Sequence, residues 1–393
     1  MELARDSLKA GMSVWNKLKV LPWLPNEDLV RKSASRDKNI QPEVYTTPKY
    51  IQSKKPVQEV VPQPLLEPPI ENQGPTPIIL MAYFRSGSSF VGDLIQAHDD
   101  VFYLFEPLRA PTTRFRLLND TSHSSITRFQ EKTRSILTKL SGCRLDHVPG
   151  EVIHDHFMNR SMKARNYIQC MDEHMDKNDP IEASKSTCLK TMIRSCLKSK
   201  IVLVKVIRPS LAMLFEMMNA IPKLKIIHLM RDPRAMARAR VSFGMIKKKT
   251  EIDDVTKFCD RLFEDAVVAE NIKQKYPERI LSLFYEEVAY HPIKEAQRIY
   301  KFADLEFSRR QQEIITAMTT NATPEKECRK MCTTKISTLQ AEKWRKVASL
   351  KFVQFGRQFG SRSRRWEDPD ETVLSIRRHS LLPRARSIIQ RTR

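Results

Sequence analysis

Residues 78–90, Ile-Ile-Leu-Met-Ala-Tyr-Phe-Arg-Ser-Gly-Ser-Ser-Phe, join an apolar, β-prone run to a turn of small residues led by an arginine. Beyond the turn, Phe90, Val91, Leu94 and Ile95 recur at helical spacing. A strand, a tight turn and a helix in that order aim successive backbone N–H groups and the positive end of a helix at one anionic group. Gly87 admits close approach, the hydroxyls of Ser86, Ser88 and Ser89 add donors, and Arg85 adds a permanent charge. Binding of a phosphate or sulfate ester is the chemistry this favours. The spacing is not G-x-x-x-x-G-K-[ST], and no G-x-G-x-x-G follows a strand. A serine-rich turn that binds nothing is the plain alternative.

A second charged strand end lies at Arg231-Asp232-Pro233-Arg234-Ala235, after the apolar run Lys225–Met230. A guanidinium at a strand's C-terminal edge can take a phosphate in a bidentate grip. Alone, the string reads equally as a turn closed by an Arg231–Asp232 or Asp232–Arg234 pair. A third strand end, Val101–Phe105, stops at Glu106. A carboxylate there would share an edge with Arg85 and could serve as a general base. Partial burial between Phe105 and Pro107 would raise its pKa for that task. The structural alternative is an ion pair of Glu106 with Arg85 or Arg109. His98 is a weaker candidate base.

The loop resembles the 5′-phosphosulfate loop of sulfotransferases. R-S-G-S-S-F at 85–90, followed by Tyr103-Leu104-Phe105-Glu106-Pro107, is more narrowly similar to the Golgi carbohydrate 6-O-sulfotransferases. Those enzymes act on galactose, N-acetylglucosamine or N-acetylgalactosamine in glycan chains. The resemblance implies 3′-phosphoadenosine 5′-phosphosulfate as donor, a glycan acceptor that can itself be acidic, and no metal. It assigns the 5′-phosphosulfate to Arg85, Ser86, Gly87, Ser88, Ser89 and Phe90, the 3′-phosphate to Arg231, and catalysis to Arg85 and Glu106. The likeness extends to Tyr285-Glu286-Glu287, His291-Pro292 and Trp344-Arg345. One departure bears on the donor: the family's second 3′-phosphate ligand, a Ser eight residues after the Arg, is Ala239 here. Losing a hydrogen bond to a charged group costs roughly 1.5–3 kcal/mol. Ser242, one helical turn further, is the expected substitute, with Arg238 as another. Leu108-Arg109-Ala110-Pro111 also replaces the family's aromatic-rich continuation, so a different acceptor sugar is expected.

The elements that position these residues read as α/β. Short apolar runs at Ile78–Phe84, Val101–Phe105, Ile201–Ile207, Leu224–Met230 and Ile280–Tyr285 alternate with helical stretches. The latter include Leu211–Ala220, Ala235–Lys248 and Val255–Tyr276. Such strands suit a P-loop-NTPase-like parallel sheet of about five strands flanked by helices. Residues 111–200 are more polar and are expected to form a helical insertion over the sheet's C-terminal edge, where acceptor specificity would lie. Residues 78–350 form the expected sulfotransferase domain. Residues 1–40 form an amphipathic segment suited to a membrane interface or a docking surface, with Leu3, Leu8, Met12 and Trp15 among Arg5, Lys9 and Lys17. Residues 41–77 hold nine prolines and read as an extended, stem-like linker, and 351–393 as a basic tail.

The chain has 393 residues and a formal net charge of +22, which favours anionic partners. Nucleic acid is not expected, since no zinc-finger spacing, RNP-like motif or basic heptad region occurs. No run of 18 apolar residues supplies a bilayer span, whereas the family is normally anchored by one; Golgi residence is thus an implication of the resemblance alone. Three sequons, at Asn119, Asn159 and Asn321, permit a lumenal glycoprotein. Among seven cysteines, a local bridge is expected between Cys188 and Cys196, while Cys328 with Cys332 reads either as a bridge or as two packed thiols; a structural zinc site is not expected. Two rivals stand beside the enzyme: a silent relative binding a nucleotide or anionic glycan, and a basic membrane or nucleic-acid binder.

Overall fold

The computed structural model describes residues 74–120, 122–176, 181–320, 333 and 335–347. The expected N-terminal segment, most of the linker, the basic tail, Asn321, Cys328 and Cys332 lie outside them. Five strands form the sheet: β1 (Thr76–Met81), β2 (Val101–Phe105), β3 (Ile201–Val206), β4 (Lys225–Met230) and β5 (Ile280–Phe284). They pair in the order β2-β3-β1-β4-β5, every pair parallel. This is the expected α/β sheet, flanked by helices on both faces.

Alternation along each strand divides the core in two. On one face Ile78, Leu80, Tyr103, Leu203 and Leu283 pack with α1 (Ser88–Gln96) and with the later helices α11 (Pro292–Phe302) and α12 (Arg309–Thr320). On the other, Ile79, Met81, Phe102, Val202 and Ile226 meet α3 (His123–Ser141), α7 (Leu211–Ala220) and α9 (Glu251–Lys275). Because α1 leaves β1 on the first face and α7 leaves β3 on the second, the C-terminal ends of these neighbours open a crevice. Open α/β sheets bind ligands at such a switch point.

Residues after β2 form α2 (Arg109–Leu117), α3, the short α4 (Gly150–Ile153), α5 (Arg165–Asp176) and α6 (Ile181–Leu197). They do not sit over the C-terminal edge as a block. Ile136, Leu137 and Leu140 of α3 bury against the second face, because an apolar stripe on a 19-residue helix is best satisfied there. The start of α2 and the segment around Asp155 do reach that edge, where Arg109 pairs with Asp155 and Phe157 packs on Phe105. The bridges also differ from expectation: Cys143 joins Cys196, and Cys170 joins Cys188. Cys188 and Cys196 lie two turns apart on one helix, so each reaches to a different neighbour. Cys170, His174 and Cys188 form a group with metal-ligating atoms, but its two sulfurs are already bonded to each other.

Element ends shift for local reasons. β1 stops before Phe84 because the Tyr83 carbonyl accepts from Ser86 N at 3.1 Å and closes a turn. Helix α8 (Pro233–Ser242) ends six residues short of Lys248, where Gly244 takes a left-handed φ of 76°. The chain resumes in α9, then α10 (Tyr285–Tyr290) follows β5 directly and α13 (Ser337–Val347) packs beside it. No helix among the described residues is long and apolar enough to cross a membrane.

Non-reducing peptide mapping should recover the Cys143–Cys196 and Cys170–Cys188 linkages; a Cys188–Cys196 linkage would contradict this packing. Each bridge should contribute about 2–4 kcal/mol to unfolding free energy, read from denaturant midpoints of single Cys→Ser variants.

Candidate active site

The loop after β1 is held from three sides. Ser86, fully buried, accepts from the N–H of Tyr83 through its Oγ at 3.2 Å. Arg85 and Gly87 both take left-handed conformations, with φ of 69° and 86°. A Cβ on Gly87 would overlap the ring of Tyr285, so only glycine lets the loop pass under that side chain. Helix α1 then begins, and its first rung is Val91 N to Gly87 O. The N–H groups of Ser88, Ser89 and Phe90 precede that rung and are the unspent donors of a helix N-terminus.

Arg231 comes to the same loop from the end of β4. Its Nη1 donates to the Arg85 carbonyl at 3.0 Å, and its guanidinium lies 4.2 Å from the Tyr285 ring centroid. Arg85 spreads over the ring of Phe243 at 4.9 Å. Burial lowers the pKa of Arg85, and repulsion from Arg231 lowers it further. One carboxylate stands near, Glu286 at 4.0 Å from Arg231 Nε, and burial raises its pKa against the pull of Arg231. The Nε atoms of Arg85 and Arg231 are both buried without a hydrogen-bond partner. A half-buried pair of cations with spare donors beside a helix N-terminus is short of an anion.

Of the two turn pairings weighed for 231–234, Asp232–Arg234 forms at 2.8 Å, while Asp232 also caps α8 through Arg234 N. That leaves Arg231 free to face Arg85. Ser242 is exposed and donates to the Arg238 carbonyl of its own helix; Phe243, next in the chain, is the residue that touches Arg85.

Glu106 departs from expectation. It is buried, in a left-handed turn with φ of 47°, and pairs with neither Arg85 nor Arg109. Lys205 Nζ and Arg208 Nη1, the latter at 3.0 Å, both donate to its carboxylate. Burial alone would raise its pKa, but two cations outweigh that, and the net direction is down. Burial lowers the pKa of Lys205 against the attraction of Glu106. Arg109 instead grips Asp155 at 2.9 Å. Lys205 was legible in principle as the lone charge within Ile-Val-Leu-Val-Lys-Val-Ile, and the apolar run masked it. His98 sits at the opposite edge, before β2, where its Nδ1 accepts from Asp100 N.

Beneath the loop, Tyr83 Oη donates to Asp265 at 2.8 Å and meets His228 Nε2 at 2.8 Å. With that proton given to Asp265, His228 must donate from Nε2, leaving Nδ1 as a buried acceptor without a partner. Burial drops the His228 pKa to about 4, so the ring stays neutral. The contact ties the ends of β1 and β4, three residues before Arg231, to α9.

A sequence profile of the sulfotransferase family matches residues 77–309. The chain belongs to the sulfotransferase family. Among similar proteins, carbohydrate sulfotransferase 1 of Danio rerio is 25% identical over 312 residues, covering 71% of this chain and 74% of that one. Carbohydrate sulfotransferase 3 of Tetronarce californica is 26% identical over 315 residues, covering 72% and 69%. A solved retinol dehydratase in complex with androsterone and inactive cofactor PAP superposes with a TM-score of 0.40 at 15% identity, covering 77% and 85%. In this sulfotransferase the matched span takes in β1 through the start of α12, and so every residue of the loop, of Arg231 and of the Glu106 cluster.

Lys205→Met should cost about 3 kcal/mol of stability, because it breaks a buried pair on one side, and Glu106→Gln added to it should recover part of that loss. Since the folded pKa of Glu106 is depressed, its stabilisation is complete above the unfolded carboxylate pKa and fades as pH falls through the folded value. Acid titration of Glu106→Gln should therefore show a shallower loss of stability than the parent; an identical acid limb would contradict the ion pair.

Proposed function

We propose that this sulfotransferase moves a sulfuryl group from 3′-phosphoadenosine 5′-phosphosulfate to the 6-hydroxyl of a sugar in a glycan. The observation that carries the reading is the meeting of Arg85 and Arg231 at one loop, each with a buried Nε that makes no hydrogen bond. The donor carries a phosphate on the 3′ and a phosphosulfate on the 5′ oxygen of one ribose, and the loop offers a matching pair of cationic grips. Arg85 and the N–H groups of Ser86 to Phe90 would hold the 5′-phosphosulfate, and Arg231 the 3′-phosphate. The names of the similar carbohydrate sulfotransferases support a glycan as acceptor.

In the transfer, a bond forms from the acceptor oxygen to sulfur, the bond from sulfur to the bridging phosphate oxygen breaks, and the hydroxyl proton leaves. Arg85 and the head of α1 neutralise the charge left on the departing phosphate. Glu106 takes the proton. Clamped by Lys205 and Arg208, it is ionised at neutral pH and always in the accepting form, but weakly basic. Proton transfer therefore comes late, once bonding to sulfur has made the hydroxyl acidic. Two disulfides fit an oxidising compartment and support residence in the Golgi lumen. Membrane contact is assigned to residues 1–40, and the acceptor-specific surface to α2 and the segment around Asp155.

Ala239 and the cation-clamped Glu106 favour a second reading, nucleotide or glycan binding without turnover. Incubating the full chain with radiolabelled donor and a panel of glycosaminoglycan and N-acetyllactosamine acceptors separates the two. Label should transfer, and Arg85→Ala and Glu106→Gln should each reduce the rate at least a hundredfold, about 2.7 kcal/mol. Nucleotide binding with no transfer to any acceptor would select the silent reading.

A further inference from the structure

Asp265 is buried on α9, a helix that Phe258, Ala269 and Ile272 already fasten to the sheet by apolar packing. Its two carboxylate oxygens serve different parts of the chain. Oδ2 accepts from Tyr83 Oη at 2.8 Å, and Oδ1 accepts from the backbone N–H of Leu211 at 2.9 Å. One turn earlier on the same helix, Arg261 brings Nε to 3.4 Å from Oδ2 and donates from Nη2 to the Pro209 carbonyl at 2.9 Å. His228 joins through Tyr83 Oη at 2.8 Å.

Each of these contacts ends beside a residue of the candidate site. Tyr83 stands two residues before Arg85, and Ser86 holds its backbone twice, N–H to Oγ at 3.2 Å and carbonyl to N–H at 3.1 Å. Pro209 and Leu211 follow Arg208, whose guanidinium donates to Glu106. His228 stands three residues before Arg231. The tips of β1, β3 and β4 thus converge on one carboxylate. Two of those tips carry Arg85 and Arg231, and the third carries a clamp on Glu106.

Attaching α9 does not require this arrangement. Burying a carboxylate with a guanidinium costs more desolvation than burying an apolar pair of similar size. Apolar contacts are also non-directional, whereas hydrogen bonds fix both distance and angle. What the ion pair adds is position.

We propose that Asp265 is a positioning residue of the site, one carboxylate that sets the donor loop and the Arg208 strand end in fixed relation. Tyr83 is its arm to the donor loop, and the Leu211 N–H its arm to the other. The inference deepens the sulfotransferase reading and rests on it for what the two halves bind. Asp265 acts through these arms and touches neither substrate.

The test uses the full chain as parent, Tyr83→Phe, Asp265→Ala and Ile315→Val. Tyr83→Phe cuts the donor arm alone and Asp265→Ala cuts both. Ile315→Val is a core truncation on α12, at the opposite face of the sheet, that lowers stability without touching the cluster. Backbone hydrogen exchange is followed in residues 83–90 and 208–214 with no ligand present. Tyr83→Phe should speed exchange roughly tenfold in 83–90 only, Asp265→Ala in both segments, and Ile315→Val selectively in neither. Adenosine 3′,5′-bisphosphate should bind roughly tenfold more weakly to Tyr83→Phe and Asp265→Ala, and with near-parent affinity to Ile315→Val. In turnover, Tyr83→Phe should lower kcat about tenfold or more with the acceptor KM unchanged, because the donor is misplaced and the acceptor is not. If Asp265→Ala does not fold, Asp265→Asn replaces it: a single acceptor oxygen can serve one arm, so one segment should loosen while the other holds. Exchange in Tyr83→Phe no faster than in Ile315→Val overturns the proposal, as does a 208–214 segment that Asp265→Ala leaves unmoved. Loosening of both segments in a protein whose parent binds no bisphosphate would sink the donor reading and leave the shared anchor standing. Bisphosphate binding by the parent, with every variant behaving as Ile315→Val, would do the reverse.

Discussion

Two guanidinium groups share one loop. Arg231 reaches across from β4 to hold the Arg85 carbonyl, and one carboxylate among the described residues, Glu286, stands 4.0 Å from Arg231 Nε with its pKa raised by burial. Like charges this close and this buried are unfavourable unless an anion joins them. The fold supplies the means of keeping them together: β1 and β4 are neighbours, Tyr83 and His228 lock their ends, and Tyr285 fills the space that Gly87 leaves open. Cation–π contacts with Tyr285 and Phe243 lessen the penalty without neutralising either charge. That arrangement is the basis on which a ligand with two anionic groups is proposed for the loop.

The crevice divides by strand. On one side of β1, Arg231 and Arg85 meet at the loop proposed to hold the donor. On the other, the ends of β2 and β3 bring Glu106, Lys205 and Arg208 together, where register places Phe105 opposite Lys205. A carboxylate clamped by two cations differs from the desolvated, elevated-pKa base of many enzymes. It trades basicity for a fixed position and a fixed charge state. In the proposed transfer that exchange would suit an acceptor that becomes acidic only as the new bond forms, with Lys205 and Arg208 holding Glu106 in place.

Much of the architecture was legible in the residues, because strands buried on both faces leave apolar runs that loops and insertions interrupt. Val101–Phe105 and Leu211–Ala220 fall where their patterns put them. The loop at 85–90 was legible because left-handed backbone, small residues and a following helix are local properties. What could not be read is long-range. Cys143 and Cys170 find Cys196 and Cys188 across 53 and 18 residues, and only the packing of α3, α5 and α6 decides those partners. Glu106 was expected to gain basicity from burial, yet its partners come from a strand about a hundred residues away in sequence, and they reverse the direction of the shift. Tyr83, His228 and Asp265 left no sequence signal at all, since each alone is an ordinary core or helix residue.

The most direct measurement compares binding of adenosine 3′,5′-bisphosphate with binding of adenosine 5′-phosphate to the parent, to Arg231→Ala and to Arg85→Ala. The ratio of the two affinities isolates the 3′-phosphate and cancels any general loosening of the loop. If Arg231 grips that phosphate, Arg231→Ala should collapse the ratio by roughly tenfold to a hundredfold, while Arg85→Ala weakens both nucleotides and leaves the ratio near its parent value. A ratio unmoved by Arg231→Ala would contradict the two-ended grip.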